Sequence, residues 1–513
     1  MLLFLLLLGV HANSAKVPPP PTSILHFTQT LDHFRFNDNR SFQQKVLVYN
    51  THYKPGGPIL LYFGNEGNIF DFYNNTGAMF EIAPKVHGLI AFLEHRYYGS
   101  TLPFGGLSYD NDKLVYLTIE QALADMAKFI TSKTTFLNLD DDDAPVILFG
   151  GSYGGMMAAW FQVKYPHLVL GSLAASAPVD IYPGEHKEAA FFDAGMFVYG
   201  KFGSSSCEEW IRAALKRMVI LGLTVEGKAL LTNEMLPCNA LKNAIDVDRL
   251  LLYVNGALST MAMVDYPFAA NFVTPMPANP VKFACDATSS LNNHSSDILL
   301  LRGIAKVVNV FVNYTSQLQC HNISQELLST AATNHPHKRL PSVSRGGVGG
   351  VGGVGGVGGH SLGDINRPWN YQACSELILE PLTSNGDGFF VPDPSLVPLI
   401  EAACMKEFNV TTRPNWMRNA YGNGEEIVKS THNIIFSDGE KDPWRVGGVP
   451  SDAINIGDGT VIHLLIEGGA HHQDLRFSSP EDPPTVTAAK KIELGLIMSW
   501  INEYNIQRKY PMD

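Results

Sequence analysis

The sequence predicts an α/β fold: a mostly parallel sheet covered by helices and interrupted by a long helical insertion. Three observations lead there. Strand-length apolar runs at 45–49, 58–63 and 89–93 alternate with a helical segment beginning near Thr118, the βαβ rhythm of a parallel sheet. A fourth run, Pro145-Val146-Ile147-Leu148-Phe149, enters a glycine-rich turn, and the helix-like Met156-Met157-Ala158-Ala159-Trp160-Phe161 leaves it. After Ala177-Pro178-Val179 the rhythm changes, and 185–333 reads mainly helical. Thr118 and Gln121 fit a capping box ahead of the first helix. The acidic run Asp140 to Asp143 reads as a solvated loop before the fourth strand.

The turn itself is Gly150-Gly151-Ser152-Tyr153-Gly154. A serine between a buried strand and a helix sits on a sharp bend that only small neighbours permit. The bend exposes Oγ and aims the helix N-terminus at charge developing during acyl transfer. The bland alternative is a glycine-rich loop with an ordinary serine, and the flanking strand and helix argue against it. Tyr153, next after the serine, offers one backbone N–H to an oxyanion. The loop Gly64-Asn65-Glu66-Gly67, after an early strand, is the expected source of the second donor.

Such a serine needs an acid and a base, which in an α/β-hydrolase follow in the order Ser, Asp or Glu, His. The strand-like Asn433-Ile434-Ile435-Phe436 leads into Ser437-Asp438-Gly439-Glu440-Lys441-Asp442-Pro443-Trp444. The strand-like run 461–466 leads into Glu467-Gly468-Gly469-Ala470-His471-His472. Asp438 and Asp442 compete for the acid. Asp442 lies farther past the strand end and is favoured, while Asp438 fits a turn cap beside Gly439. His471 and His472 compete for the base, with the first favoured. His463, inside the strand, reads as structural. A metal held by His471, His472 and Asp474 is disfavoured, because no further ligands with metal-site spacing accompany them.

By these residues and several others, the chain resembles the prolyl serine peptidase family of lysosomal Pro-X carboxypeptidase and dipeptidyl peptidase II. The shared segments are Phe27-Thr28-Gln29-Thr30-Leu31-Asp32-His33-Phe34, Gly64 to Gly67, Glu94-His95-Arg96-Tyr97-Tyr98-Gly99 and Gly150 to Gly155. They continue with Met263-Val264-Asp265-Tyr266-Pro267, Tyr371-Gln372-Ala373-Cys374, Asp442-Pro443-Trp444 and Gly469-Ala470-His471-His472. The resemblance implies Ser152, Asp442 and His471 as the catalytic residues, and a serine exopeptidase that cleaves after proline with no cofactor. It implies an apolar pocket for proline, for which Trp444, Met156 and Met157 are candidate walls, the methionines fitting ordinary core packing equally well. Glu94, His95 and Arg96 read as a structural polar cluster.

Carboxypeptidase and aminodipeptidase differ in the charged chain end they hold. An aminodipeptidase needs an anion for the substrate ammonium, and a carboxypeptidase needs a cation or donors for a carboxylate. The resemblance places the aminodipeptidase's aspartate just before Tyr-Gln-Ala-Cys, where this chain reads Trp369-Asn370-Tyr371. The neutral Asn370 favours the carboxypeptidase. Lys441 and Arg445, flanking the D-P-W triplet, either help bind a substrate carboxylate or sit on a solvated loop. An esterase would use the same triad without the prolyl-peptidase segments, and an inactive binding protein would not need it.

Composition agrees with a large enzyme. The 513 residues carry a net charge of −12 and 45% hydrophobic side chains. Nothing forms a basic stripe, so nucleic-acid binding is disfavoured, and composition carries no signal for or against a homodimer. Residues 1–15 read as a signal peptide. Sequons occur at Asn39, Asn74, Asn293, Asn313, Asn322 and Asn409, and no later apolar run has transmembrane length. The expected location is the secretory pathway, ending in the lysosome or outside the cell, with small proline-containing peptides as substrates. The six cysteines allow fifteen pairings, and the resemblance implies Cys207–Cys285, Cys238–Cys320 and Cys374–Cys404. The expected organisation is a hydrolase unit at 16–184 and 363–513, split by a disulfide-braced helical cap at 185–335 and a flexible Gly-Gly-Val linker at 336–362.

Overall fold

The computed structural model describes residues 16–140, 143–181, 187–323, 363–377, 396–450 and 461–510. The signal-peptide reading, the Gly-Gly-Val repeat and two of the four loop aspartates lie outside these residues. Eight strands form one sheet in the order β1-β2-β4-β3-β5-β6-β7-β8. They are β1 Ser23–Thr30, β2 Ser41–Tyr49, β3 Ile59–Phe63, β4 Leu89–Leu93, β5 Val146–Gly151, β6 Gly171–Ala175, β7 Ile434–Gly439 and β8 Val461–Ile466. β1, β2 and β4 pair antiparallel at one edge, and the other pairs are parallel. The architecture is an α/β-hydrolase.

The central strands β3 to β6 are buried along their whole length. That is why they read as unbroken apolar runs rather than as an alternating pattern. Helices Ile119–Leu137 and Tyr153–Lys164 contribute to one apolar layer, and Ala78–Val86 and Pro484–Lys509 to another. Two strands escape sequence reading. β1 is buried only at alternate positions of its second half, which overlaps a segment quoted only for its motif. β6, GSLAA, carries too little side chain to announce itself.

Thr118 caps the helix Ile119–Leu137 by accepting from the Gln121 backbone N–H at 3.2 Å. The Gln121 side chain does not close a capping box, however. Its Nε2 donates to Asp32 and its Oε1 accepts from the His33 backbone, pinning the loop after β1.

Between β6 and β7 the chain builds helices Lys187–Val198, Ser205–Gly222, Val225–Met235, Ala244–Met263, Pro280–Asp286 and Asp297–Val312. They enclose an apolar core of their own, centred on Trp210, Leu215, Leu258, Met261 and Ile304. The disulfides are Cys207–Cys285 and Cys238–Cys320 in this group of helices and Cys374–Cys404 after it, still ahead of β7, the pairs implied by the family resemblance.

Glu94, His95 and Arg96 are all buried and paired. Glu94 Oε2 accepts from Ser100 N–H and Thr101 Oγ1, and His95 Nδ1 meets the Arg96 carbonyl at 2.7 Å. Arg96 donates to both carboxylate oxygens of Asp125, at 2.7 and 2.6 Å, and to the carbonyls of Thr30, Leu31 and Tyr116. Neither Arg96 nor Asp125 reaches solvent appreciably. Removing one partner of such a pair leaves a buried charge without compensation. Asp125→Asn is therefore expected to lower unfolding stability by about 3–5 kcal/mol in urea titration.

Candidate active site

Ser152 ends β5 with φ 58° and ψ −126°, a conformation that costs of order 1–3 kcal/mol unless its surroundings impose it. They do. Its backbone N–H donates to the Ala175 carbonyl at the end of β6 at 2.9 Å. A Cβ on Gly150 would lie 2.0 Å from the Gly154 carbonyl, and one on Gly154 would lie 2.4 Å from Asn65 Oδ1. Both approaches require glycine. Tyr153 opens the helix Tyr153–Lys164, so its N–H is one of the first-turn amides without an intrahelical partner.

The Asn65 side chain clamps this turn. Its Nδ2 donates to the Gly151 carbonyl at 2.7 Å and its Oδ1 accepts from Tyr62 Oη at 3.0 Å. That bond commits one of the two Asn65 Nδ2 hydrogens to the turn. Glu66 is half-buried, and its Oε2 is shut off from solvent without a hydrogen-bond partner. Burial pushes the Glu66 carboxyl above its ordinary range, against smaller opposing contributions from hydrogen bonding to its own backbone and to the Asn65 side chain and from the charge of His471.

The competing acids separate cleanly. Asp442 Oδ2 meets His471 Nδ1 at 2.5 Å, with both side chains buried. Asp442 Oδ1 accepts from the Trp444 backbone at 3.0 Å, which fixes the carboxylate. Asp438 binds His463 Nε2 at 2.9 Å instead of capping the turn beside Gly439. His472 is not bonded to either acid: its backbone N–H donates to Ser176 Oγ, and its ring lies 4.4 Å from the His471 ring and edge-on to Phe272. Burial, reinforced by the charges of His471 and Arg476, drives the His472 pKa well below its ordinary value. Among the described residues, Ser152 Oγ and His471 Nε2 are not hydrogen-bonded, a contact that often tightens only with substrate present. Nor is there, among those residues, a group of three His, Cys, Asp or Glu able to hold a metal.

The region between β6 and β7 grips the histidine loop. The His471 N–H donates to the Met263 carbonyl at 2.9 Å, and Tyr266 Oη donates to the His471 carbonyl at 3.0 Å. Lys441 neither faces solvent nor waits for a substrate. It is buried and donates to Asp265 Oδ2 at 2.8 Å. Arg445 donates through Nε to the Glu440 carbonyl and stacks near Phe197.

Of the candidate pocket residues, Trp444 is half-buried against Phe191 at 4.7 Å between ring centres. Trp369 packs edge-on against Tyr153 at 5.3 Å, and its indole N–H is unpartnered. Asn370 is buried with Oδ1 unpartnered. Met157 is fully buried in the main core and Met156 nearly so, which places Met157 among packing residues. Of the sequons, Asn39, Asn74, Asn293, Asn322 and Asn409 are exposed, whereas the Asn313 amide is bonded both ways to the Leu318 backbone.

A hub that the sequence reading overlooked is Gln372, within the Tyr-Gln-Ala-Cys segment. Its Nε2 donates to Tyr153 Oη at 2.8 Å, and its Oε1 accepts from Tyr98 Oη at 2.5 Å. His95 Nε2 reaches the same Tyr153 hydroxyl at 3.2 Å, and burial pushes the His95 pKa down to about 4.

A model of the serine carboxypeptidase S28 family matches residues 29–346 and 352–493. The chain belongs to that family. It is a serine exopeptidase. Human lysosomal Pro-X carboxypeptidase is 38% identical over 504 residues, covering 96% of this chain and 92% of the relative. A prolyl carboxypeptidase-like protein of Caenorhabditis elegans is 32% identical over 488 residues, covering 92% and 89%. Among solved structures, an acetylester hydrolase from Corynebacterium glutamicum aligns over 92% of this chain and 95% of its own, with a TM-score of 0.39 at 10% identity.

The segment carrying Trp369 and Asn370 is anchored through Glu376. This buried carboxyl accepts from the Ile119 N–H at the start of the helix Ile119–Leu137. Burial, with the Glu120 carboxyl beside it, raises the Glu376 pKa well above its ordinary value. The folded state therefore holds a proton that the unfolded chain releases above its ordinary carboxyl range, and stability falls as pH rises. His95 and His472, with lowered pKa values, act in the opposite sense and cost stability as pH falls. Glu376→Gln keeps the acceptor for Ile119 and should remove a slope of up to about 1.4 kcal/mol per pH unit. The change in urea midpoint from about pH 5 to about pH 7 should therefore be more positive in the variant than in the wild type, because the opposing histidine slopes remain.

Proposed function

We propose that the enzyme removes the C-terminal residue from peptides ending in Pro-Xaa. In this reading Ser152 is the nucleophile, His471 the general base and Asp442 the group that orients it. The His471–Asp442 bond supports these roles, because it leaves Nε2 as the basic nitrogen. Ser152 Oγ attacks the prolyl carbonyl as His471 takes its proton. The Tyr153 N–H, with a backbone donor from Gly64 to Gly67, holds the oxyanion. His471 then protonates the departing amine, and water releases the proline-ended product from the acyl-enzyme.

The observation that carries the choice of substrate end is Asn370. A neutral amide stands where binding a substrate ammonium would call for a carboxylate. The resemblance to Pro-X carboxypeptidases over nearly the whole chain supports the same end. Trp444, Trp369 and Met156 are the proposed apolar walls for proline, and the helices of 185–335 the proposed cap that limits entry to chain ends. The hydrolase unit would then comprise 16–184 and 363–513, joined through 336–362. Lysosomal or extracellular residence is proposed from the names of the relatives, the three disulfides and the exposed sequons. Among the described residues, no helix is long and apolar enough to cross a membrane.

The test is incubation of the purified enzyme with a blocked peptide ending Pro-Phe and with a free-amine Lys-Pro reporter, using Ser152→Ala as control. Serine-dependent release of phenylalanine alone is expected. Release of the Lys-Pro dipeptide alone would replace this reading with an aminodipeptidase. Asp442→Asn should keep the fold yet lower kcat by roughly 10⁴-fold, since the imidazole loses its orienting acceptor.

A further inference from the structure

We infer that Gln372 is a positioning residue for acyl transfer: through the Tyr153 hydroxyl it fixes the direction of the Tyr153 backbone N–H. This rests on the reading above that makes that N–H an oxyanion donor, and it holds for either substrate end.

The bond directions in the hub follow from one end of it. His95 Nδ1 lies 2.7 Å from the Arg96 carbonyl, so that nitrogen carries the hydrogen. Burial, which lowers the His95 pKa to about 4, keeps the ring neutral and leaves Nε2 as an acceptor. The Tyr153 hydroxyl, 3.2 Å away, therefore donates to Nε2. Its oxygen accepts from Gln372 Nε2 at 2.8 Å. Gln372 Oε1 accepts in turn from the Tyr98 hydroxyl at 2.5 Å. Every hydrogen runs one way, and reversing the Gln372 amide would set two acceptors against each other.

Packing alone does not ask for this chemistry. Tyr98, His95, Tyr153 and Gln372 are all buried, and apolar side chains of similar size would fill the same space with no polar atoms to satisfy. A closed polar network adds direction rather than bulk. Here it grips the residue after Ser152, whose backbone conformation its surroundings must impose. The Tyr153 N–H belongs to the peptide joining the two, so holding the tyrosine side chain limits rotation of that peptide. Aim matters, because a misplacement of about 1 Å in a reacting site costs roughly 100-fold in rate.

Gln372 is itself held. It closes the helix Gly363–Gln372, and two residues later Cys374 is bridged to Cys404. Arg367, earlier in the helix, donates to the Tyr109 carbonyl, to Asn111 and to Glu407. Glu376 accepts from the Ile119 N–H. The amide thus hands the position of a braced segment to the nucleophile turn.

The test uses Gln372→Met and Tyr153→Phe in the full-length enzyme, on whichever of the two substrates above the wild type cleaves. Each variant should lower kcat roughly 10- to 100-fold and leave KM within about threefold. In the Tyr153→Phe background, adding Gln372→Met should lower kcat no further, because the bond it breaks is already gone. The deciding readout is the infrared stretch of the acyl carbonyl after Ser152 is acylated by an isotope-labelled arylacryloyl ester. Hydrogen bonds from the oxyanion donors weaken that C=O bond, so the native acyl-enzyme absorbs at lower frequency than the same protein unfolded in urea. Both variants should move the band back toward its unfolded position. A band unmoved in both overturns the inference whatever kcat does, and so does a rise in KM with kcat unchanged. Should Gln372→Met not fold, Tyr153→Phe, which keeps the ring against Trp369, decides alone. A wild-type band already at its unfolded position, or acylation that persists in Ser152→Ala, overturns the acyl-transfer reading itself and this inference with it.

Discussion

One backbone conformation governs the rest of the molecule: the left-handed twist at Ser152 that lifts its side chain off the end of β5. Nothing in serine favours it, so the surroundings must impose it. The hydrogen bond to Ala175 ties the turn to β6. The Asn65 amide ties it to the loop after β3. The close approach of Gly150 to the Gly154 carbonyl lets the helix begin without a gap. Three parallel strands thus converge on one side chain, and the sheet order that makes them neighbours is a requirement of the site.

The second half of the machinery is held from outside the sheet. The His471 backbone donates to the Met263 carbonyl and accepts from the Tyr266 hydroxyl, and the neighbouring acid loop is bridged by the buried Lys441–Asp265 pair. These partners all belong to the segment around Asp265, just past the helix Ala244–Met263 in the helical region between β6 and β7. A buried ion pair of this kind is weak evidence for stability, since desolvation offsets much of its attraction. Its value here is positional: one surface of the helical region and the D-P-W loop share a fixed register.

What the sequence revealed about this arrangement depended on locality. The nucleophile turn could be read because strand, glycine turn and helix are adjacent in the chain. The run 461–466 could be read because β8 is short and apolar between stretches rich in glycine and polar residues in the sequence. The choice of Asp442 over Asp438 rested on distance past the strand end, and the structure pairs Asp442 with His471 and Asp438 with His463. Lys441 could not be read. A lysine between a glutamate and an aspartate looks solvated, and its partner Asp265 lies far away in the chain. Gln372 was hidden for the same reason, since its meaning comes from Tyr98 and Tyr153 on other elements. The strand β6 was missed because glycine, serine and alanine carry almost no hydrophobic signal.

The interlaced disulfides have a bearing on biosynthesis. In chain order the cysteines run 207, 238, 285, 320, so each bridge of the middle region closes only after the other has opened its loop. Strands β7 and β8, with Asp442 and His471 behind them, emerge after all four. A nascent chain on the ribosome can therefore complete the serine turn and oxidise its middle helices while it still has neither acid nor base. Every stalled or prematurely released product ending before 442 is a hydrolase without a proton acceptor. Under the proposed roles, the order of elements along the polypeptide withholds the acid and the base from every unfinished copy.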